Sequence, residues 1–308
     1  MAPQERVGQK LRPGLRREAD VESVAAHYDK GDRLIQLFID DRTKMYTCAL
    51  WLPGVGDLAD AQVAKVDYTL GKLDLKPGQR LWDVGFGYGF TLKRAREEFG
   101  VIGVGATLSE KQLEYAKQQA EGDAGLDYRF QGWEELDPNE RFDAIVSIGA
   151  FEQFGSPQYP KFFETASRTL PKDGKILLHT IVLDRNAFNN LSREDKKKFI
   201  EYGKFIVTDI FPHGQLPRSE QIREESAKAG FELVHEESLQ DLSICNNEPN
   251  YALTLERWAE NLERVREQAI GLTDQETYDR YMKYLTQSAQ WFRERVIDVR
   301  QFLLRKQG

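Results

Sequence analysis

One stretch constrains this chain more than any other. Arg80-Leu81-Trp82-Asp83-Val84 runs directly into Gly85-Phe86-Gly87-Tyr88-Gly89, and Phe90 to Phe99 then reads as a helix. A short apolar strand, a glycine-rich turn and a helix bring the backbone round tightly and leave free N–H groups at the helix N-terminus. The same glycines serve any tight strand-to-helix turn, so the context decides. It repeats the pattern: apolar strands at Val101–Ala106, Asp127–Gln131, Phe142–Gly149 and Lys175–Leu183 alternate with helices at 110–121 and Pro160–Thr169. Strands alternating with helices of ten or more residues predict an α/β fold with a mostly parallel sheet covered on both faces.

The ends of the chain depart from that rhythm. Residues 1–18 are a charged, Pro/Gly-interrupted tail, and 19–308 read as one domain. From Val21 to about Leu73 the pattern is mostly helical, broken at Leu52-Pro53-Gly54. After the fifth strand come Gly230–Glu236, two long amphipathic stretches and a final strand at Asp298–Leu304, which brings the sheet to seven strands. In the first stretch Leu255, Trp258, Leu262, Val265 and Ala269 share one helix face. Thr273-Asp274-Gln275-Glu276 reads as a capping box opening a helix through Tyr281, Leu285 and Phe292. That late helical part is more than the sheet needs and would form a lid or a wall over a pocket.

Composition narrows the function. No apolar run among the 308 residues approaches the roughly 18–20 needed to span a bilayer, and the first twenty lack an apolar signal core. With Cys48 and Cys245 alone there is neither a disulfide framework nor a structural zinc site, so a reduced, soluble, cytoplasmic protein is expected. A net charge of −7 argues against general nucleic-acid binding. Arg6, Lys10, Arg12, Arg16 and Arg17 cluster in the tail, and Lys196, Lys197 and Lys198 form a second basic group. Both read as solvated surface or as docking sites for an acidic carrier protein or an anionic lipid surface.

The glycine turn suits a dinucleotide pyrophosphate or S-adenosylmethionine. The dinucleotide fingerprint is G-x-G-x-x-G with an acid about 20 residues on, at the second strand's end. Here the spacing is G-x-G-x-G, and the second strand ends Ala106-Thr107-Leu108-Ser109 without a carboxylate, which disfavours the pyrophosphate. With these motifs the chain resembles the S-adenosylmethionine-dependent cyclopropane fatty acid synthases, and most closely the mycolic acid cyclopropane synthase and methyltransferase branch. The resemblance runs from about Val21 to Lys306. It is carried by His27-Tyr28-Asp29, Met45-Tyr46-Thr47-Cys48-Ala49, the glycine turn, Gln131-Gly132-Trp133-Glu134-Glu135, Ser147-Ile148-Gly149-Ala150-Phe151-Glu152, Leu177-Leu178-His179-Thr180-Ile181 and Tyr281-Met282-Lys283-Tyr284-Leu285.

The resemblance implies a Rossmann-like class I methyltransferase with an N-terminal helical cover and a C-terminal helical lid. By it, Gly85, Gly87 and Gly89 cradle the amino-acid end of S-adenosylmethionine and Asp83 fixes that loop. Thr107, Leu108 and Gln112 lie at the ribose, and Trp133, Glu134 and Ile148 at the adenine side. Tyr46 and Thr47 close over the methionine part. Ser109-x-x-Gln112 also reads as a capping box for the second helix. The family's chemistry is methyl transfer to an alkene of a long acyl chain, on a carrier protein or a phospholipid, through a carbocation. The base in relatives is a bound bicarbonate, whose site maps onto Cys48, Glu152, His179, Ile181 through its backbone, and Tyr251. Each has a plainer reading: Cys48 as a small buried hydrophobe, His179 as a satisfied core histidine. A carboxylate at Glu152, between Phe151 and Phe154, is hard to account for as core.

The sequence departs from the family where Cys-Gly-Trp is Phe86-Gly87-Tyr88, where a histidine is Gln153 and where a late cysteine is Ser288. These positions leave open a specialised prenyl or indole acceptor, or a non-catalytic lipid-binding relative. Phe205, Ile206, Ile210 and Phe211 read equally as an acyl tunnel and as helix core. The polar Glu236–Pro249 stretch makes its neighbour Tyr251 the least anchored of the site residues.

Overall fold

In the computed structural model, which describes residues 31–212, 214–242 and 248–308, five apolar runs pair in parallel. They are β1 (Arg80–Val84), β2 (Ile102–Thr107), β3 (Leu126–Phe130), β4 (Ala144–Ile148) and β5 (Lys175–Leu183). The sixth, β6 (Phe231–Ser238), does not extend that set directly. The last strand, β7 (Ile297–Lys306), inserts antiparallel between β5 and β6, giving the order β3-β2-β1-β4-β5-β7-β6. β4 is buried at every position, as a central strand covered on both faces must be. The order reverses between β1 and β4, and open parallel sheets bind ligands at the carboxyl ends of strands flanking such a point.

Helices α1 (Leu58–Gly71), α2 (Phe90–Phe99) and α3 (Glu110–Gln119) pack with one face of the sheet through Val66, Leu70, Leu92 and Ala116. On the other face α4 (Tyr159–Thr169) packs Phe162 and Phe163 against Phe151, Phe154 and Trp133, with rings 5.1–5.9 Å apart. The short α5 (Arg185–Asn190), then α6 (Arg193–Phe205) and a π-helical turn (Ile206–Ile210), follow β5. After α7 (Ser219–Lys228) and β6 come α8 (Asn250–Arg264), α9 (Arg266–Leu272) and α10 (Gln275–Arg293). A separate apolar cluster joins Phe38, Trp258, Tyr281, Leu285 and Phe292, so the N-terminal segment and the late helices form one cover.

Three expectations change. The segment before α1 is less helical than its pattern: residues 37–57 are turns and irregular chain. Within it Asp40 accepts from the Thr43 amide (2.7 Å) and hydroxyl, a side-chain turn of the kind that competes with helix. The Leu255–Ala269 face is carried by two helices. Val265, β-branched and half-buried, leaves helical geometry at φ −110° and ψ 25°. The cap of α10 is Asp274, which accepts from the Thr277 amide (2.7 Å), while Thr273 donates back to the Ala269 carbonyl (2.8 Å) and closes α9. The basic tail, His27-Tyr28-Asp29 and Cys245 lie outside the described residues. Among the described residues no helix is long and apolar enough to cross a membrane.

Candidate active site

At the carboxyl ends of β1 and β4 the chain encloses a cavity of about 340 Å³. Its floor is the glycine turn. Gly85 holds φ +87°, and a Cβ there would stand 2.4 Å from the Ala150 Cβ, so the β1 and β4 loops approach as only glycine allows. Gly87 lines the cavity, whereas Gly89 lies behind the loop, accepting from the Tyr128 hydroxyl (2.9 Å) at the start of α2. Phe86 turns inward onto Tyr128 (4.8 Å), filling space that the missing side chain of Gly105 leaves open. Tyr88 donates to Asp32 and thereby ties the loop to the N-terminal cover.

Asp83 makes no hydrogen bond to that loop. It is buried with Oδ2 unpartnered in the cavity wall, and burial pushes its carboxyl up to about 7 against the opposing pull of Lys65. An orphaned buried carboxylate oxygen costs stability unless something binds it, so this wall fits a ligand bearing a cationic amine. Thr107 accepts from the Ser109 amide (3.2 Å) and donates to Gln112 Oε1 (3.1 Å), which places Gln112 in the wall with Leu108. Ser109 caps α3 through the Gln112 amide (3.3 Å), but Thr107 replaces the reciprocal arm of the box. Trp133 and Ile148 line the same end. Glu134 sits in the Trp133–Glu135 turn and is not in the lining.

Tyr46-Thr47-Cys48, an arch of the N-terminal segment, lines the same cavity. Thr47 accepts from the fully buried Lys65 ammonium (2.8 Å), and its methyl would stand 2.5 Å from a Cβ on Gly149. Burial pushes the Lys65 ammonium down to about 7. Beyond the arch the lining changes character: Tyr202, Ile206, Phe211, Tyr284 and Phe292 make an apolar, aromatic wall. Ile206 and Phe211 are therefore cavity wall, while Ile210 is core and Phe205 packs beneath Lys283 (4.1 Å). Ser288 accepts from Tyr202 (2.7 Å) and donates to the Tyr284 carbonyl (2.6 Å).

Glu152, His179, Ile181, Cys48 and Tyr251 all line this cavity. Glu152 is buried, with Oε1 accepting from the Ile181 amide (2.6 Å) and Oε2 unpartnered. Burial raises its carboxyl above the usual range, and the Ile181 hydrogen bond only partly offsets that. Burial likewise drives the Cys48 thiol and the Tyr251 hydroxyl strongly upward, so both stay protonated, the thiol donating to the Ala49 carbonyl (3.2 Å). The Ile181 backbone, expected to hold an anion, is committed to Glu152.

The chain matches the model of the family described as mycolic acid cyclopropane synthetase over residues 15–302. It is 44% identical to cyclopropane mycolic acid synthase MmaA2 of Mycobacterium tuberculosis over 92% of this chain and 97% of that protein. It is 43% identical to cyclopropane mycolic acid synthase 3 of the same organism over 92% and 96%. The chain belongs to the mycolic acid cyclopropane synthetase family. The solved structure of mycolic acid cyclopropane synthase CmaA1 complexed with SAH and CTAB superposes at TM-score 0.87, with 41% identity over 95% of this chain and 99% of that one. The fold is that of the class I methyltransferases, and the chain is an S-adenosylmethionine-dependent methyltransferase of the cyclopropane synthase type.

Two members of the site carried no motif in the sequence. Lys65 holds Thr47 from a buried helix position, and Gln301 on β7 lies behind His179. The available signal was polarity where burial was due: Gln62, Lys65 and Thr69 fall on the buried stripe of α1, and Gln301 is a buried polar position of β7.

Proposed function

We propose that this enzyme transfers a methyl group to the alkene of a long acyl chain and closes a cyclopropane on it. S-adenosylmethionine supplies an electrophilic methyl group. Asp83, the Gly85 turn, Thr107, Gln112 and Trp133 would hold it, and the orphaned Asp83 oxygen is the feature that fits its amino group. The observation that carries the reading is the unpartnered Oε2 of Glu152, in one cavity with both the glycine turn and an aromatic wall.

The alkene π pair would form the new C–C bond as the methyl's bond to the sulfonium sulfur breaks, that pair leaving with S-adenosylhomocysteine, and a carbocation would remain on the acyl chain. Tyr46, Phe211 and Tyr284 present aromatic faces, which stabilise positive charge where water is excluded. A proton then leaves the new methyl group and its C–H pair closes the ring, for a net gain of CH₂. Glu152, His179, Tyr251 and Cys48 line the part of the cavity that would take a small anion such as bicarbonate as the base for this proton, with the Tyr251 hydroxyl as a donor. The named relatives act on mycolic acids, which supports a very long acyl acceptor here, presented on a carrier protein or a lipid.

The test is accurate-mass and NMR analysis of acyl chains from a host expressing the protein with a labelled methyl donor. Unsaturated chains should gain one CH₂ with ring protons. Glu152→Gln should keep binding S-adenosylhomocysteine within about twofold while turnover falls roughly 10²–10³-fold, the scale of losing one preorganised group. Undiminished turnover in that variant would remove Glu152 from the mechanism.

A further inference from the structure

The antiparallel insertion of β7 sets a row of side chains across the sheet behind the site. His179 on β5 is the register partner of Gln301 on β7, which in turn is opposite Glu237 on β6. All contacts of the Gln301 amide are directional. Its Oε1 accepts from the Lys72 ammonium, which also donates to Glu237. Its Nε2 donates to Thr69 Oγ1 (2.8 Å), whose own proton is spent on the Lys65 carbonyl (2.7 Å). An ammonium at one end and a spent hydroxyl at the other leave one orientation for this amide, with a second N–H directed at His179 Nδ1 (3.3 Å). His179 and Gln301 are both buried, 2% and 1% exposed.

We infer that Gln301 is a positioning residue that locks His179 as the neutral tautomer protonated at Nε2, so that His179 serves the site as a hydrogen-bond donor and not as a proton acceptor. The direction agrees with burial and the nearby Lys65 and Lys72 charges, which all disfavour the imidazolium. The inference rests on the anion-site reading above for its consequence in turnover, and on the hydrogen-bond row alone for the tautomer. A donor at Nε2 would hold an anion in the cavity without taking its proton, leaving that anion as the base.

The experiment is ¹⁵N-histidine NMR of the full chain with S-adenosylhomocysteine bound, the His179 signals being assigned by their loss in His179→Gln. The wild-type ring should show a protonated Nε2 and a bare Nδ1. In Gln301→Glu, Lys72 keeps the new carboxylate ionised, so it accepts from Nδ1–H and the tautomer should switch. Turnover should then fall at least tenfold while S-adenosylhomocysteine affinity stays within twofold, which also shows that the variant folds. A wild-type ring protonated at Nδ1, or a ring unmoved by Gln301→Glu, overturns the inference. A tautomer that switches with turnover unchanged leaves the inference standing and refutes the anion-site reading instead.

Discussion

Alanine at Gly85 tests the close approach on which the cofactor turn depends. Two separable costs arise. At φ +87° a side chain enters the left-handed region, at about 1–2 kcal/mol. The new Cβ would also stand 2.4 Å from the Ala150 Cβ, about 1 Å inside ordinary carbon contact. Overpacking of that kind costs about 1–3 kcal/mol. Gly85→Ala should therefore lose about 2–5 kcal/mol in urea denaturation. Because the strain falls on the turn itself, calorimetry should show S-adenosylhomocysteine binding weakened at least tenfold. Ala150→Gly removes only the contact partner. The double variant should recover the overpacking share, about 1–3 kcal/mol, and retain the conformational one. A Gly85→Ala protein with normal affinity and stability, or a double variant no better than the single, would refute the reasoning.

Lys65→Met should abolish a pH slope in stability. Its ammonium is pushed down to about 7 from 10.5, so the folded protein binds this proton more weakly than the unfolded chain. Wild-type stability should thus fall as pH drops from about 10 towards 7 and level off below. Urea titrations at several pH values would show that slope missing in the variant, and its persistence would dissociate it from Lys65. Phe86→Ala should cost about 3–5 kcal/mol by denaturation, as a buried aromatic truncation does. Gly105→Ala, whose Cβ would stand 2.6 Å from the Phe86 ring, should be harmful with Phe86 present and much less so in Phe86→Ala, where only the Leu92 Cδ1 at 3.0 Å has to give. Equal harm in both backgrounds would deny that the two positions share one space.

The strands were legible because period-two or continuous apolar runs announce themselves; β5 spans Lys175–Leu183 as the sequence implies. The glycine turn and the Phe151-Glu152 motif were equally plain, since packing alone seldom calls for a glycine series or for a carboxylate among phenylalanines. Two misread element ends rest on contacts only three residues long, Asp40 with Thr43 and Asp274 with Thr277, where neighbouring residues offered competing local turns and caps. What else stayed hidden depends on distant partners. Gln301 reads as one of several polar residues in its strand until the register sets it against His179. The arch at Tyr46-Thr47-Cys48 was readable by family likeness, but its support by Lys65 was not, because a lysine in a helix ordinarily faces water.

The insertion of β7 also bears on how the molecule comes into being. β5 and β6 are synthesised with no strand between them, and the gap is filled by the last strand of the sheet. Until then one edge of β5 offers unpaired backbone groups to any passing strand, the exposure that promotes aggregation of partly made chains. The strand that seals this edge also brings Gln301 to His179. Protection from misassociation and competence for chemistry therefore arrive in a single event, and a chain cut short within β7 would lack both.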